Sequence, residues 1–131
     1  MPSKAAAVVL DSSCWLEYFS DSARADLYTA MVHAPAQLVV PVLTIYEVSK
    51  KLRRELGPTV AGHAESMMRR GLVVDVDSAL VRLAVTYRLP LADSLIYATA
   101  QKHEAVLWTQ DAHFEGLVGV KYFSTKNTSE A

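Results

Sequence analysis

The chain has 131 residues, 51% of them hydrophobic and 21% charged, which suits one compact domain and is too apolar for a disordered segment. A lone cysteine, Cys14, excludes an internal disulfide framework and any multi-cysteine zinc or iron–sulfur centre. Thirteen Lys and Arg against fourteen Asp and Glu leave a formal charge of −1, so a nucleic-acid partner would have to be met by local basic density.

The opening Met1-Pro2-Ser3-Lys4, followed by the apolar Ala5 to Leu10, has only the outline of a secretion signal. It is short, and Asp11 stands where a cleavage region would be needed. No run approaches the roughly 20 apolar residues of a membrane span, and a cytoplasmic location is expected. Ala6–Leu10 reads as a first buried strand, with Leu38–Val40, Leu72–Val74 and Ala105–Trp108 as three more and Val120–Phe123 as a short fifth at an edge. These runs lack polar alternation, as expected of strands covered on both faces.

Segments of helical period lie between them. Ser13–Phe19 sets Trp15 and Phe19 one turn apart, and Ala23–Ala34 puts Leu27, Ala30, Met31 and Ala34 on one stripe. A helix over Thr44–Leu56 stops at Gly57-Pro58, and the next buries Val60, Ala64, Met67 and Met68 and ends at Gly71. Asp77 is the expected N-cap of a helix carrying Leu80, Leu83, Ala84 and Tyr87, and a last helix runs from Ala92 to His103. The alternation predicts an α/β fold: one domain over residues 1–124, with a mainly parallel central sheet of four to five strands flanked by helices. The polar segment 125–131 is expected to fray.

Four acids occupy comparable places in this plan. Asp11 follows the first strand, and Glu47 lies early in the helix after the second. Asp93 opens the helix before the fourth strand, which Asp111 follows after Thr109 and Gln110. In a parallel sheet all four positions fall on the carboxyl edge, where open α/β sheets place their ligands. Two readings stand at this point. Each Asp suits a helix start, where free N–H groups and the dipole favour negative charge. Glu47 can pair with Lys51 one turn on, for about 0.3–0.5 kcal/mol. Taken together, however, converging carboxylates repel unless a cation neutralises them, and Mg²⁺ or Mn²⁺ suits such a cluster better than zinc. His33, His63, His103 and His113 show no paired ligand spacing. His113 reads as support for the loop at Asp111, Phe114 as an anchor, and Cys14 as a small buried residue. No G-x-S-x-G elbow or Gly-rich phosphate loop is present.

Four segments carry a family resemblance. Val8-Val9-Leu10-Asp11-Ser12-Ser13 resembles the opening motif of the PIN-domain ribonucleases, and Leu43-Thr44-Ile45-Tyr46-Glu47-Val48 is similar to their helix-borne Glu motif. Leu89-Pro90-Leu91-Ala92-Asp93-Ser94-Leu95-Ile96-Tyr97-Ala98-Thr99-Ala100 resembles their third motif, and Leu107-Trp108-Thr109-Gln110-Asp111-Ala112-His113-Phe114 their fourth. Single motifs of this kind are weak, but the set in order across the chain is specific. Trp108 departs from the small aliphatic residue usual there. Length and the Pro-Leu-Ala-Asp segment further resemble the VapC toxins of toxin–antitoxin pairs.

The resemblance implies hydrolysis of RNA phosphodiesters with Mg²⁺ or Mn²⁺, and inhibition of translation by the toxin. It makes Asp11, Asp93 and Asp111 metal ligands and has Glu47 complete the set or orient the attacking water, with Ser12 and Thr109 as hydroxyls that hold carboxylates and waters. Lys50, Lys51 and Arg54 share a helical face with Glu47, either as a solvated face or as a track for the RNA backbone. The family further implies a homodimer silenced by a VapB-like antitoxin, for which the surface around Trp15 and Phe19 is the expected seat. A non-catalytic PIN module and a receiver-like signalling domain are the competing functions. The receiver reading lacks the adjacent acidic pair it needs beside Asp11.

Overall fold

The computed structural model describes residues 6–125; residues 1–5 and the part of the expected tail from 126 to 131 lie outside them. Its elements follow the order β1 (Val8–Leu10), α1 (Ser12–Phe19), α2 (Asp26–Val32), β2 (Val39–Pro41), α3 (Val42–Leu56), α4 (Pro58–Met68), β3 (Leu72–Val74), α5 (Ser78–Ala84), α6 (Leu91–Lys102), β4 (Val106–Thr109) and β5 (Val120–Tyr122). Short 3₁₀ turns precede β2 and follow β4. The strands pair β1–β4–β5 and β2–β3, all parallel, and a parallel bridge between Val8 and Leu38 joins the two ladders. All five strands therefore end at one edge.

Alternation along the strands sorts the core into two layers. Val8, Leu10 and Val40 face Cys14, Trp15, Tyr28, Ile45, Val48 and Leu52 on one side, while Val9, Val39 and Leu107 face Ile96, Tyr97, Ala100 and Phe114 on the other. Helix α6 buries seven consecutive residues, Ser94–Ala100, and is thus a central rather than a surface helix. That enclosure fixes its first turn, which carries Asp93.

The helix breaks fall where the sequence predicts. Gly57 ends α3 with φ 93°, a left-handed backbone that glycine adopts without steric cost, and Pro58 opens α4. Asp77 caps α5 by accepting from the Leu80 N–H at 2.8 Å. Gly71 brings β3 against β2 so closely that a Cβ there would stand 2.9 Å from Val40 Cγ2 and 3.0 Å from Leu38 Cβ.

Four expectations need correcting. Helix α2 is shorter than Ala23–Ala34 and buries Tyr28 and Val32, leaving Leu27 45% exposed; the Tyr28 ring, edge-on to Phe123, has more apolar area to hide. In α4 Val60 is exposed and Ala61 takes its place, because small residues let α3 and α4 approach. The strand β3 is not covered on both faces: it pairs only with β2, and Leu72 is 58% exposed. Trp15, expected at a partner surface, is 1% exposed and stacks under the half-buried Phe19 with ring centroids 5.9 Å apart, so Phe19 alone of the two reaches solvent.

Candidate active site

The carboxyl ends of β1 and β4 lie side by side, with Leu10 opposite Trp108, and the chain leaves both through short polar turns. The Asp11 N–H extends the ladder to the Trp108 carbonyl at 2.9 Å. Asp11 precedes α1, yet its side chain makes no capping bond to the helix. Instead Oδ2 accepts from Ser13 Oγ at 2.9 Å and from Thr109 Oγ1 at 3.0 Å. Thr109 Oγ1 in turn accepts from the Asp111 N–H at 2.9 Å, and Ser13 Oγ from the Gln110 N–H at 3.1 Å. Two hydroxyls thus stitch the turn after β1 to the turn after β4.

The other acids gather around His113. Asp111 caps the 3₁₀ turn after β4, its Oδ1 accepting from the His113 N–H at 2.9 Å. The imidazole Nδ1 lies 2.9 Å from Asp93 Oδ2 and 3.3 Å from Asp111 Oδ1. One ligand atom from each of Asp93, Asp111 and His113 lies within 4.8 Å of the others. Asp11 and Glu47 are not members of this tight group. Asp11 is close enough to feel the charge of Asp93 and is tied to Asp111 through Thr109. Glu47 Oε1 accepts from Ser12 Oγ at 2.5 Å and, among the described residues, forms no ion pair with Lys51. The capping interpretation therefore holds for Asp111, whose carboxylate still reaches the cluster, and fails for Asp11.

Electrostatics favour positive charge here. Burial pushes the Asp11 carboxyl up to about 6; the Ser13 and Thr109 hydroxyls offset part of that, and Asp93 adds to it. Asp93 is raised by burial and by Asp111, with His113 acting against both. His113 is raised, first by its hydrogen bond with Asp93 and next by the charge of Asp111. Two neighbouring carboxylates, with the buried Asp11 tied to one of them, make an acid-rich cluster whose oxygens suit a hard divalent cation.

Two side chains do more than the sequence suggested. Ser12 and Thr109, expected to hold carboxylates, donate to Glu47 and Asp11, and Ser13 is a second hydroxyl on Asp11 with no role expected from the sequence. His113, expected to support the loop, does so with its backbone while its ring bridges two acids. Its place two residues after an N-capping Asp was the available signal.

The basic residues separate. Lys50 donates to the Tyr46 hydroxyl at 3.1 Å and lines a groove of about 560 Å³ between α3 and α4 with Arg53 and Arg69. Lys51 instead faces α1 beside Ser13, Glu17 and Glu55, and the exposed Arg54 guanidinium lies 3.7 Å from Glu55. Trp108 packs against Phe123, 5.3 Å between centroids, with the Lys121 ammonium 4.4 Å over its ring. Its bulk is taken up beside the site without displacing an acid. No helix among the described residues is long and apolar enough to cross a membrane.

A chain in a toxin–antitoxin complex from Klebsiella pneumoniae is similar in fold, with TM-score 0.73 and 24% identity over 88% of this chain and 96% of its own. VapC20 of Mycobacterium tuberculosis, a sarcin–ricin loop cleaving toxin, gives 0.66 and 15% over 83% and 92%. The DNA-bound VapBC of Salmonella typhimurium gives 0.68 and 16% over 91% and 98%. No curated protein matches the sequence. The PIN-domain family model, however, matches residues 8–119, from the first strand to the turn before the last, and the chain belongs to the PIN-domain family.

Proposed function

We propose that this protein is an endoribonuclease dependent on Mg²⁺ or Mn²⁺ and the toxin of a VapBC-type pair, with residues 1–124 as its working domain. The observation that carries the reading is the joining of Asp11 to Asp111 through one threonine hydroxyl while Asp93 and Asp111 stand together. Asp93 and Asp111 would hold the ion, with Asp11 reaching it directly or through water. When bound, a divalent ion relieves charge on the phosphoryl oxygens and makes water nucleophilic at neutral pH. The chain's own part is positional. Thr109 and Ser13 fix the Asp11 carboxylate, and Ser12 holds Glu47, which orients the attacking water. Lys50 and Arg53 line one flank of α3, and Lys51 and Arg54 lie off that groove; together they are suited to phosphates of an RNA approaching from either side.

The similarity to chains from toxin–antitoxin complexes supports a VapB-like antitoxin as partner, and a homodimer is the assembled state proposed with it. Phe19 and the neighbouring surface of α2 are the proposed seat of an antitoxin segment, and a basic antitoxin side chain in the acidic pocket would compete with the metal. Inhibition of translation in the cytoplasm follows from cleavage of RNA.

The test is cleavage of total cellular RNA by purified protein with Mg²⁺, with EDTA, and by Asp93→Asn. Defined fragments with Mg²⁺, lost in both other conditions, are expected. Cleavage that survives chelation and the substitution rejects the assignment.

A further inference from the structure

The geometry points to His113 as a third ligand of the metal centre, supplying imidazole Nδ1 beside the carboxylates of Asp93 and Asp111. This rests on the metal-dependent reading just given and goes beyond it, since the sequence made the ligands carboxylates only. Neighbouring ligands on an octahedral ion with bonds of about 2.0–2.1 Å stand about 2.9 Å apart, and opposite ones about 4.2 Å. His113 Nδ1 already lies 2.9 Å from Asp93 Oδ2 and 3.3 Å from Asp111 Oδ1. Two of the three donor separations therefore match ligand spacing, the third pair lies within 4.8 Å, and the ion would replace the proton now between Nδ1 and Asp93.

The surroundings hold the ring in that place. The His113 N–H is tied to Asp111 Oδ1, and the next residue, Phe114, is completely buried and anchors the turn. Asp93 enters from the enclosed helix α6, so both neighbours of the ring come from rigid elements. The imidazole itself is 59% exposed, which leaves a path for ion exchange at the open side. Two carboxylates and one nitrogen differ chemically from an all-oxygen set. Imidazole adds affinity for first-row transition ions and little for Mg²⁺, which prefers oxygen. His113 is thus assigned as the residue that tilts the site from Mg²⁺ towards Mn²⁺ and its neighbours.

The experiment uses the full chain loaded with Mn²⁺ and read by pulsed electron paramagnetic resonance, which detects a directly bound nitrogen. Wild-type protein is expected to show ¹⁴N modulation that changes to the ¹⁵N pattern on histidine labelling and disappears in His113→Gln. That variant keeps the backbone cap at Asp111. Mn²⁺ affinity is expected to fall about 10-fold in it, and Mg²⁺ affinity much less, so that the preference narrows. Mn²⁺ bound without nitrogen modulation, or modulation retained in His113→Gln, overturns the ligand role and leaves the metal-dependent reading standing. Equal losses for both ions also overturn it, in favour of a purely structural role. Failure of wild-type protein to bind Mn²⁺ at all removes both the ligand and the metal-dependent reading.

Discussion

Asp11 sits at 5% exposure, held by two hydroxyls on one oxygen, whereas Asp93 and Asp111 open towards solvent around an imidazole. The first arrangement is built into the ladder between β1 and β4 and is set when the sheet forms. The second depends on a helix start and a 3₁₀ turn meeting across the edge. In the proposed site a fixed carboxylate would stand beside an open rim, and each half predicts its own response to mutation.

Asp93→Asn or Asp111→Asn breaks the open half, and RNA cleavage in Mg²⁺ buffer is expected to fall about 1,000-fold or more while the thermal melting point changes little. Asp11→Asn should separate activity from stability. Its carboxyl is raised from 3.8 to about 6, so the folded state binds the proton more tightly than the unfolded state does. The stability this confers is full below about pH 4 and is lost as the pH rises through about 6. In the metal-free protein the asparagine variant escapes that loss and should gain up to about 3 kcal/mol at pH 8, with no gain near pH 4. Urea unfolding in EDTA at the two pH values checks the sign. A gain at pH 4 that vanishes at pH 8 would contradict the burial argument.

Thr109→Val tests the link between the halves. It leaves the Asp111 N–H unpaired and Asp11 short of one donor, at a cost of about 1–3 kcal/mol with weaker Mn²⁺ binding by calorimetry. Asp77→Ala is the control for a carboxylate whose work is capping alone. It should cost about 1 kcal/mol in urea unfolding with cleavage unchanged. The smallest effect belongs to Cys14, fully buried behind Asp11 with its thiol pushed up to about 12 by burial. Native protein should leave it unreacted with Ellman's reagent at pH 8 for as long as the fold persists.

Much of this architecture was readable from the chain because its signals are local. The apolar run before Asp11, the Gly57-Pro58 break and the Asp77 cap each act within a few residues, and parallel topology then carries distant acids to one edge. What was hidden depends on contacts between remote segments. Ser12 and Ser13 are indistinguishable in sequence, and only the position of Gln110 and Glu47 decides which hydroxyl serves which acid. Lys50 and Lys51 are adjacent in sequence but one helical step apart, about 100°, and α4 and α1 pack on different flanks of α3 and divide them. Trp15 looks like surface because nothing nearby in the chain shows that Tyr28, Val48 and Leu52 belong to the same core cluster.

Gly71 carries a last lesson, although it bears no chemistry. A single methyl there would press on Val40 Cγ2, Leu38 Cβ and the Leu38 carbonyl, and Pro41, paired with Val74, leads straight into α3, which carries Glu47. The close approach of β3 to β2 thus depends on a residue whose whole contribution is the volume it does not occupy.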